Sequence, residues 1–419
     1  MTRATQDLKI AIDSAGLVRR IDELALISES PAPVVTRVLF SEADMRGREY
    51  VRQAARDAGL TLREDAVGNI FARWEGSDPK LAAVGSGSHT DAIPNAGRYD
   101  GVVGVLGAFE ALAALKKAGF KPRRSLEVVM FTAEEPTRFG LGCLGSRLMA
   151  GTISVEKALA LRDRDGKSLD ELRAAAGYSG ALASVRLPTG YYHSFVELHI
   201  EQGPILEQRG IEIGLVEHIA GPSSYRVTLH GEGGHAGAVL MPGRHDALVA
   251  GAEIAVAVEA AAKASGSPDT VGTVGVFRIE PGAVNSVPFK AYLEIDLRDA
   301  RLDSRDKAFA EIRAAADKAC ATRGVTMEFE EINADPPAAG DPATVAIAEA
   351  VCAELGHTSL RMVSRAYHDS LFLARVSPTT MIFIPCRNGW SHRPEEFSTP
   401  EHIAAGAEVL AHTMARLAV

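Results

Sequence analysis

Histidines and carboxylates stand at the ends of several apolar runs in this chain. The first such place is Gly87-Ser88-His89-Thr90-Asp91, followed closely by Tyr99-Asp100-Gly101. Phe131-Thr132-Ala133-Glu134-Glu135 comes next, then Glu197-Leu198-His199-Ile200-Glu201-Gln202-Gly203, and finally Gly389-Trp390-Ser391-His392. Any one of these histidines alone is an ordinary polar residue. Together, three imidazoles, an aspartate and a glutamate pair are the donor set of a two-ion hydrolytic centre. A glycine-rich loop between His89 and Asp100 can fold back to join them. Asp91 is placed to accept the second ring N–H of His89 and so fix its tautomer. Asp100 has two oxygens, enough to bridge two ions, and His199 and His392 would complete one ion each. Glu134 and Glu135 point oppositely if extended, so Glu135 is assigned as the ligand and Glu134 as the general base. Nitrogen and oxygen donors without thiolate suit two divalent ions per subunit. Manganese comes first, with zinc, cobalt and nickel as alternatives.

Such donors need a frame that brings strand ends together. Residues 81–88, 125–132 and 195–200 are short apolar runs that read as buried strands. Residues 102–118, apolar at helical spacing and closed by Gly119 and Pro122, read as a helix, as do 140–151. Strands alternating with helices predict an α/β fold with a mostly parallel central sheet, its ligands beyond the carboxyl ends of the strands. From about residue 213 the rhythm changes. Strands over 224–229, 270–279, 290–296 and 325–332, with helices over 246–264 and 305–323, give the order β-α-β-β-α-β of a ferredoxin-like α+β unit. After Pro336-Pro337 the α/β pattern resumes, with helices over 342–356, 370–376 and 400–418 and a strand over 380–385. The expected organisation is a catalytic domain in two parts, 1–212 and 334–419, with an inserted domain over 213–333.

Composition narrows the function classes. The chain has 419 residues, too many for one ordinary core, and 46% hydrophobic with 24% charged residues suits a globular enzyme. A net charge of −9 argues against a nucleic-acid partner. Four scattered cysteines without a paired motif read as reduced thiols rather than metal ligands. No stretch approaches a membrane span, and the N-terminus, with Leu8-Lys9-Ile10 and Arg19-Arg20, lacks the apolar core of a leader. The expected location is the cytoplasm.

These residues, in this order, resemble the M20 metallopeptidase superfamily and, within it, the amidohydrolase (hydantoinase/carbamoylase) branch. His199 in Glu-Leu-His-Ile-Glu-Gln-Gly-Pro marks that branch, where the peptidases usually place a carboxylate. The similarity runs from about Arg20 to the C-terminus. It implies a zinc-peptidase-like catalytic domain and a homodimer, with the inserted domain as dimer contact and closing lid. Glu134-Glu135-Pro136-Thr137-Arg138-Phe139-Gly140 departs from the usual Glu-Glu-Gly-Ser-Arg-Phe of the branch. Ser364-Arg365-Ala366-Tyr367-His368-Asp369-Ser370 stands where the carbamoylases carry Ser-Gly-Ala-Gly-His-Asp-Ala. Both departures, with Met381-Ile382-Phe383-Ile384-Pro385-Cys386, look like the ureidoglycolate-cleaving group. Tyr367 in place of glycine would narrow the pocket and offer a hydroxyl, unless it points away and merely packs.

The resemblance also implies roles outside the metal set. His235, in Gly233-Gly234-His235-Ala236-Gly237, would reach the partner subunit's site and polarise the scissile carbonyl. Gln202, Asn285, Arg298, Tyr367 and His368 would bind substrate, Arg298 as the fork for a carboxylate. The remaining histidines read as surface or structural. The expected function is a binuclear-metal amidohydrolase that converts (S)-ureidoglycolate to glyoxylate, ammonia and carbon dioxide in purine (allantoin) degradation. The alternatives are allantoate or N-carbamoyl-L-amino acid hydrolysis and, from another class, a catalytically silent M20-like binding protein.

Overall fold

The computed structural model describes residues 9–419. The expectation of no leader rests partly on residues 1–8, outside the described residues. The chain divides into two compact units. The first runs through Glu217 and takes in Ala339–Met362 and His368–Val419; the second holds His218–Ala338 and Val363–Tyr367.

At the heart of the first unit four parallel strands lie in the order Thr379–Ile384, Tyr192–Ile200, Ala83–His89 and Leu126–Phe131. Every residue of Thr379–Ile384 and Leu126–Phe131 is buried, because both faces of these strands are covered. That double cover is why they read as largely apolar runs, interrupted only by Glu127 and by Thr379 and Thr380. The sheet as a whole corrects the mostly parallel expectation, for it is a mixed sheet of nine strands. On one side Ile70–Trp74 runs antiparallel to Leu126–Phe131 and Thr61–Glu64 antiparallel to Ile70–Trp74, and on the other Ile213–Ile219 runs antiparallel to Thr379–Ile384. The turn between Thr61–Glu64 and Ile70–Trp74 is a tight one, in which the Asp65 carboxylate accepts the N–H groups of Val67, Gly68 and Asn69. So short a turn joins only antiparallel neighbours.

Helix Val102–Lys117 buries nearly its whole surface, one side against this sheet and another against helix Pro400–Leu417. The latter starts where Thr399 accepts the His402 N–H and Pro400 presets the first turn. Helix Leu144–Ala150 is shorter than the 140–151 expected, because Cys143 before it is left-handed (φ 56°) and ends the preceding loop.

Apart from the two-residue strands Gly234–His235 and Ser286–Val287, which pair with each other, the long elements of the second unit follow the order β-α-β-β-α-β. Its strands lie in the order Val271–Glu280, Lys290–Asp299, Gly221–His230 and Thr326–Ala334, all antiparallel to their neighbours. Burial alternates residue by residue along Lys290–Asp299, as it must where only one face is fully covered. That face packs Val227, Leu229, Leu293 and Ile295 against Ile254 and Val258 of helix Ala247–Ala264 and Ile312 of helix Leu302–Arg323.

The unit boundaries differ from those read in the sequence. Strand Ile213–Ile219 pairs Leu215 with Ile382 of the large sheet, which keeps residues up to 217 in the first unit. Asp335 N–H donates to the Pro222 carbonyl at 2.9 Å, which keeps the residues after Thr326–Ala334 in the second. Val363–Tyr367, expected in the catalytic part, also groups with the second unit. The Ala220 N–H donates to the Ser364 carbonyl at 2.8 Å, and Arg365 pairs with Asp269.

Candidate metal centre and active site

The candidate ligands converge at the carboxyl ends of the parallel strands. His89 is the last residue of its strand and His199 the last but one of Tyr192–Ile200. Asp100 precedes Gly101, whose left-handed backbone (φ 66°) opens helix Val102–Lys117. A Cβ at Gly101 would lie 2.5 Å from the His89 ring, so only glycine lets this loop close onto the histidine.

Asp100 sits at the centre. Its Oδ1 is 3.2 Å from His199 Nε2 and 3.6 Å from His89 Nε2, and its Oδ2 is 3.2 Å from His392 Nε2. Glu135 Oε1 lies 3.3 Å from the same His392 nitrogen. Two ligand trios result, His89–Asp100–His199 and Asp100–Glu135–His392, with Asp100 in both. Ligand atoms about 2.1 Å from one ion in a tetrahedral array stand roughly 3.4 Å apart. The separations of 3.2 to 3.6 Å match that spacing, and the donors are nitrogen and oxygen only. The residues present therefore fit divalent ions.

The charges point the same way. Burial would raise the Asp100 carboxyl, yet hydrogen bonds from His199, His392 and His89 hold it well below the usual range. Burial would lower His392, but its bonds to Asp100 and Glu135 lift it to about 11. Glu134 is pushed up by burial, against the pull of His89, and further by the repulsion of Glu135, Asp369 and Asp100.

The histidine–aspartate pairing expected within residues 89–91 takes another form. His89 Nδ1 meets the Asp91 backbone carbonyl at 3.0 Å, whereas the Asp91 carboxylate stands 3.7 Å away. That carboxylate instead accepts the N–H groups of Glu134 at 3.4 Å and Glu135 at 3.1 Å. Asp91 thus fixes the acidic pair as well as the ring. Burial, partly countered by His89, raises its carboxyl to about 6. The acidic pair lies beyond the strand end, after a left-handed Ala133 (φ 55°). Strain of this kind collects at functional sites, and Gln202 (φ 55°) and His392 (φ 60°) share it.

Gln202 donates from Nε2 to Asp100 Oδ2 at 2.8 Å and to Ser391 Oγ at 3.1 Å, so its amide serves the bridging carboxylate. His368 is buried, with its ring edge-on to His199 at 4.5 Å. Glu197, His199 and His368 form a further donor group. Glu197, however, already accepts from Ser88 Oγ and Ser370 Oγ, at 2.7 and 2.6 Å. It is an anchor between strand and helix.

The remaining expected residues belong to the second unit. Arg298 is forked onto Asp296 at 2.6 and 3.1 Å, and its guanidinium lies 4.8 Å from the Tyr367 ring centroid. Tyr367 therefore packs against Arg298. His235 and Asn285 are exposed neighbours on paired short segments, where His235 faces Ser286 and the Ala236 N–H donates to the Asn285 carbonyl. Of the residues set aside as surface or structural, His193, His218 and His230 are exposed. His357 pairs with Glu212 and Glu408.

Sequence reasoning passed over three buried groups beside the centre. Cys143 donates its thiol to Glu134 Oε1 at 3.5 Å. Arg37 donates to the Thr90 carbonyl at 2.6 Å. Glu396 accepts the N–H groups of Tyr99 and Asp100. None stands in a motif of ligand type. The second residue of the pair Glu395-Glu396, four residues after His392, was the faintest available signal.

Carboxylates and imidazoles gathered on one aspartate, at the strand ends of a mixed α/β sheet, define the class of metal-dependent hydrolases. The chain belongs to peptidase family M20/M25/M40, whose model matches residues 85–416. It is 53% identical over 413 residues to the ureidoglycolate hydrolase of Oryza sativa subsp. japonica, covering 97% of this chain and 85% of that protein. It is 38% identical to the N-carbamoyl-L-amino acid amidohydrolase of Geobacillus stearothermophilus, covering 97% and 99%. Among solved structures, that of AtUAH in complex with glyoxylate superposes with a TM-score of 0.92 at 52% identity, covering 98% of each chain.

Proposed function

We propose that this protein is a metal-dependent amidohydrolase that cleaves the ureido group of ureidoglycolate. The observation that carries the reading is Asp100 set between His199 and His392, with Glu134 alongside. The reading draws further support from the identity to ureidoglycolate hydrolases of rice and of Arabidopsis thaliana, 53% and 52%. His89, Asp100 and His199 would hold one divalent ion, and Asp100, Glu135 and His392 a second, with manganese the first choice. Ions so held supply Lewis-acid polarisation of the attacking water and of the ureido carbonyl.

The chain's own residues do the rest. Glu134, whose Oε2 is 3.8 Å from His89 Nε2, takes a proton from the attacking water. As the terminal C–N bond breaks, Glu134 returns that proton to the departing ammonia. The carbamate left behind loses carbon dioxide, and the resulting hydroxyglycine breaks down to glyoxylate and a second ammonia. In this reading Arg298 and Asn285 anchor the substrate carboxylate across the dimer interface. Gln202 and His368 line the approach, and Tyr367 narrows it against larger ureido acids.

The second unit, whose element order is that of the ferredoxin-like split fold, acts as dimerisation and lid domain. Exposed His235 and Asn285 side by side suit delivery to the partner's centre, where His235 stabilises the developing oxyanion. Four buried free cysteines suit a cytoplasmic location. The test is a substrate panel with manganese-loaded protein, scored for ammonia and glyoxylate. Ureidoglycolate should yield about two ammonia per glyoxylate by this stoichiometry. Faster turnover of allantoate or of an N-carbamoyl amino acid would reassign the substrate.

A further inference from the structure

His392 is an unusual ligand, since its side chain is 48% exposed and its backbone is left-handed at φ 60°. A strained, exposed residue keeps one geometry only when its surroundings over-determine it. Those surroundings converge on Glu396, which is 3% exposed. Its Oε1 accepts the backbone N–H of Tyr99 at 2.8 Å and of Asp100 at 3.1 Å. Its Oε2 accepts the Ser391 hydroxyl at 2.9 Å. Ser391 Oγ also lies 3.0 Å from Asp100 Oδ2, so its one proton is shared between two carboxylates. A Cβ at Gly97 would stand 2.4 Å from the Glu396 Cβ, which shows how closely the Asp100 loop is drawn onto this side chain.

We infer that Glu396 is a positioning residue for the Asp100–Glu135–His392 trio, tying the loop that carries Asp100 to the loop that carries His392. The two loops are far apart in sequence, and Glu396 with Ser391 bonds to both. The His89–Asp100–His199 trio has less need of such a tie, because His89 and His199 are set by strand ends. Removing Glu396 therefore acts unequally on the two trios. Groups that orient ligands from outside typically change metal affinity about 10–100-fold.

This inference rests on the two-ion reading above. Its test is calorimetric titration of Mn²⁺ into chelator-stripped protein, for the parent, Glu396→Ala and Glu396→Gln. The parent should take up about two equivalents. In Glu396→Ala one equivalent should stay within about 3-fold of the parent, while the other weakens at least about 10-fold. Glu396→Gln should recover most of that loss, since its carboxamide oxygen still accepts both backbone N–H groups. Two parent-like equivalents in Glu396→Ala would overturn the inference, as would an equal loss of both. Should Glu396→Ala fail to fold by thermal scan, Ser391→Ala applies the same test, and two parent-like equivalents there overturn it. A parent protein that binds no divalent ion would instead sink the metal reading itself.

Discussion

Glu134 and Glu135 are neighbours in sequence, but their surroundings differ. Glu135 faces His392, while Glu134 lies between His89 and the Cys143 thiol. Glu134→Gln should keep manganese content near that of the parent and lower kcat about 10²–10⁴-fold, the range of a lost general base. Metal analysis beside steady-state kinetics checks both, and a parallel fall of the two would make Glu134 a ligand. Cys143 donates one weak bond to that base, and burial keeps it a thiol by raising it well above its ordinary value. Losing a bond of about 0.5–1.5 kcal/mol corresponds to a roughly 2–10-fold loss in kcat. Cys143→Ala should show that loss with KM unchanged, and Cys143→Ser should restore part of it. The ligand types were legible at this scale because apolar runs ended in them. The tasks of Asp91 and Glu396 were not, because both carboxylates act on backbone N–H groups that no side-chain pattern reveals.

Among the elements, the loop after His89 owes its shape to a buried cation. Arg37 is fully buried and donates to the carbonyls of Leu24, Ile27 and Thr90. Burial lowers its pKa to about 10, with Asp44 and Asp91 opposing, so it remains charged at neutral pH. Arg37→Met would leave those carbonyls without their donor. A cost of about 2–5 kcal/mol in denaturant unfolding is expected, together with weaker metal binding; an unchanged midpoint would show that water replaces the guanidinium at no cost. Element type was readable where burial was complete or nearly so, as in Leu126–Phe131 and Val102–Lys117. It was not readable in Thr61–Glu64, where three of the four residues are exposed and leave no apolar run. Ile70–Trp74 and Ile213–Ile219 are mostly buried, and their antiparallel direction went unseen because pairing between strands, not composition, sets it.

For the whole molecule, both ligand trios lie in the first unit, so metal should stabilise that unit. At an ion concentration about 1,000-fold above Kd, one bound ion contributes roughly 4 kcal/mol. Chelation should therefore lower the melting temperature markedly and return it on adding manganese; a scan indifferent to chelator would argue against resident ions. If His235 serves the partner's centre, mixing inactive His235→Ala with inactive Glu134→Gln subunits should restore activity in heterodimers. No recovery after verified subunit exchange would place His235 in its own subunit's site. The change of rhythm near residue 213 revealed the second unit, but its annexation of Val363–Tyr367 was invisible, since bonds to distant residues decide it. The sheet order has one more consequence, for the growing chain on the ribosome. Thr379–Ile384 lies between Tyr192–Ile200 and Ile213–Ile219, although it is made long after both. Until it emerges, Ile213–Ile219 and one edge of Tyr192–Ile200 lack the strand that joins them, and His392 has yet to be synthesised. The sheet of the first unit therefore cannot close until most of the second unit has been made, and strand edges left open that long are the places where misfolding begins.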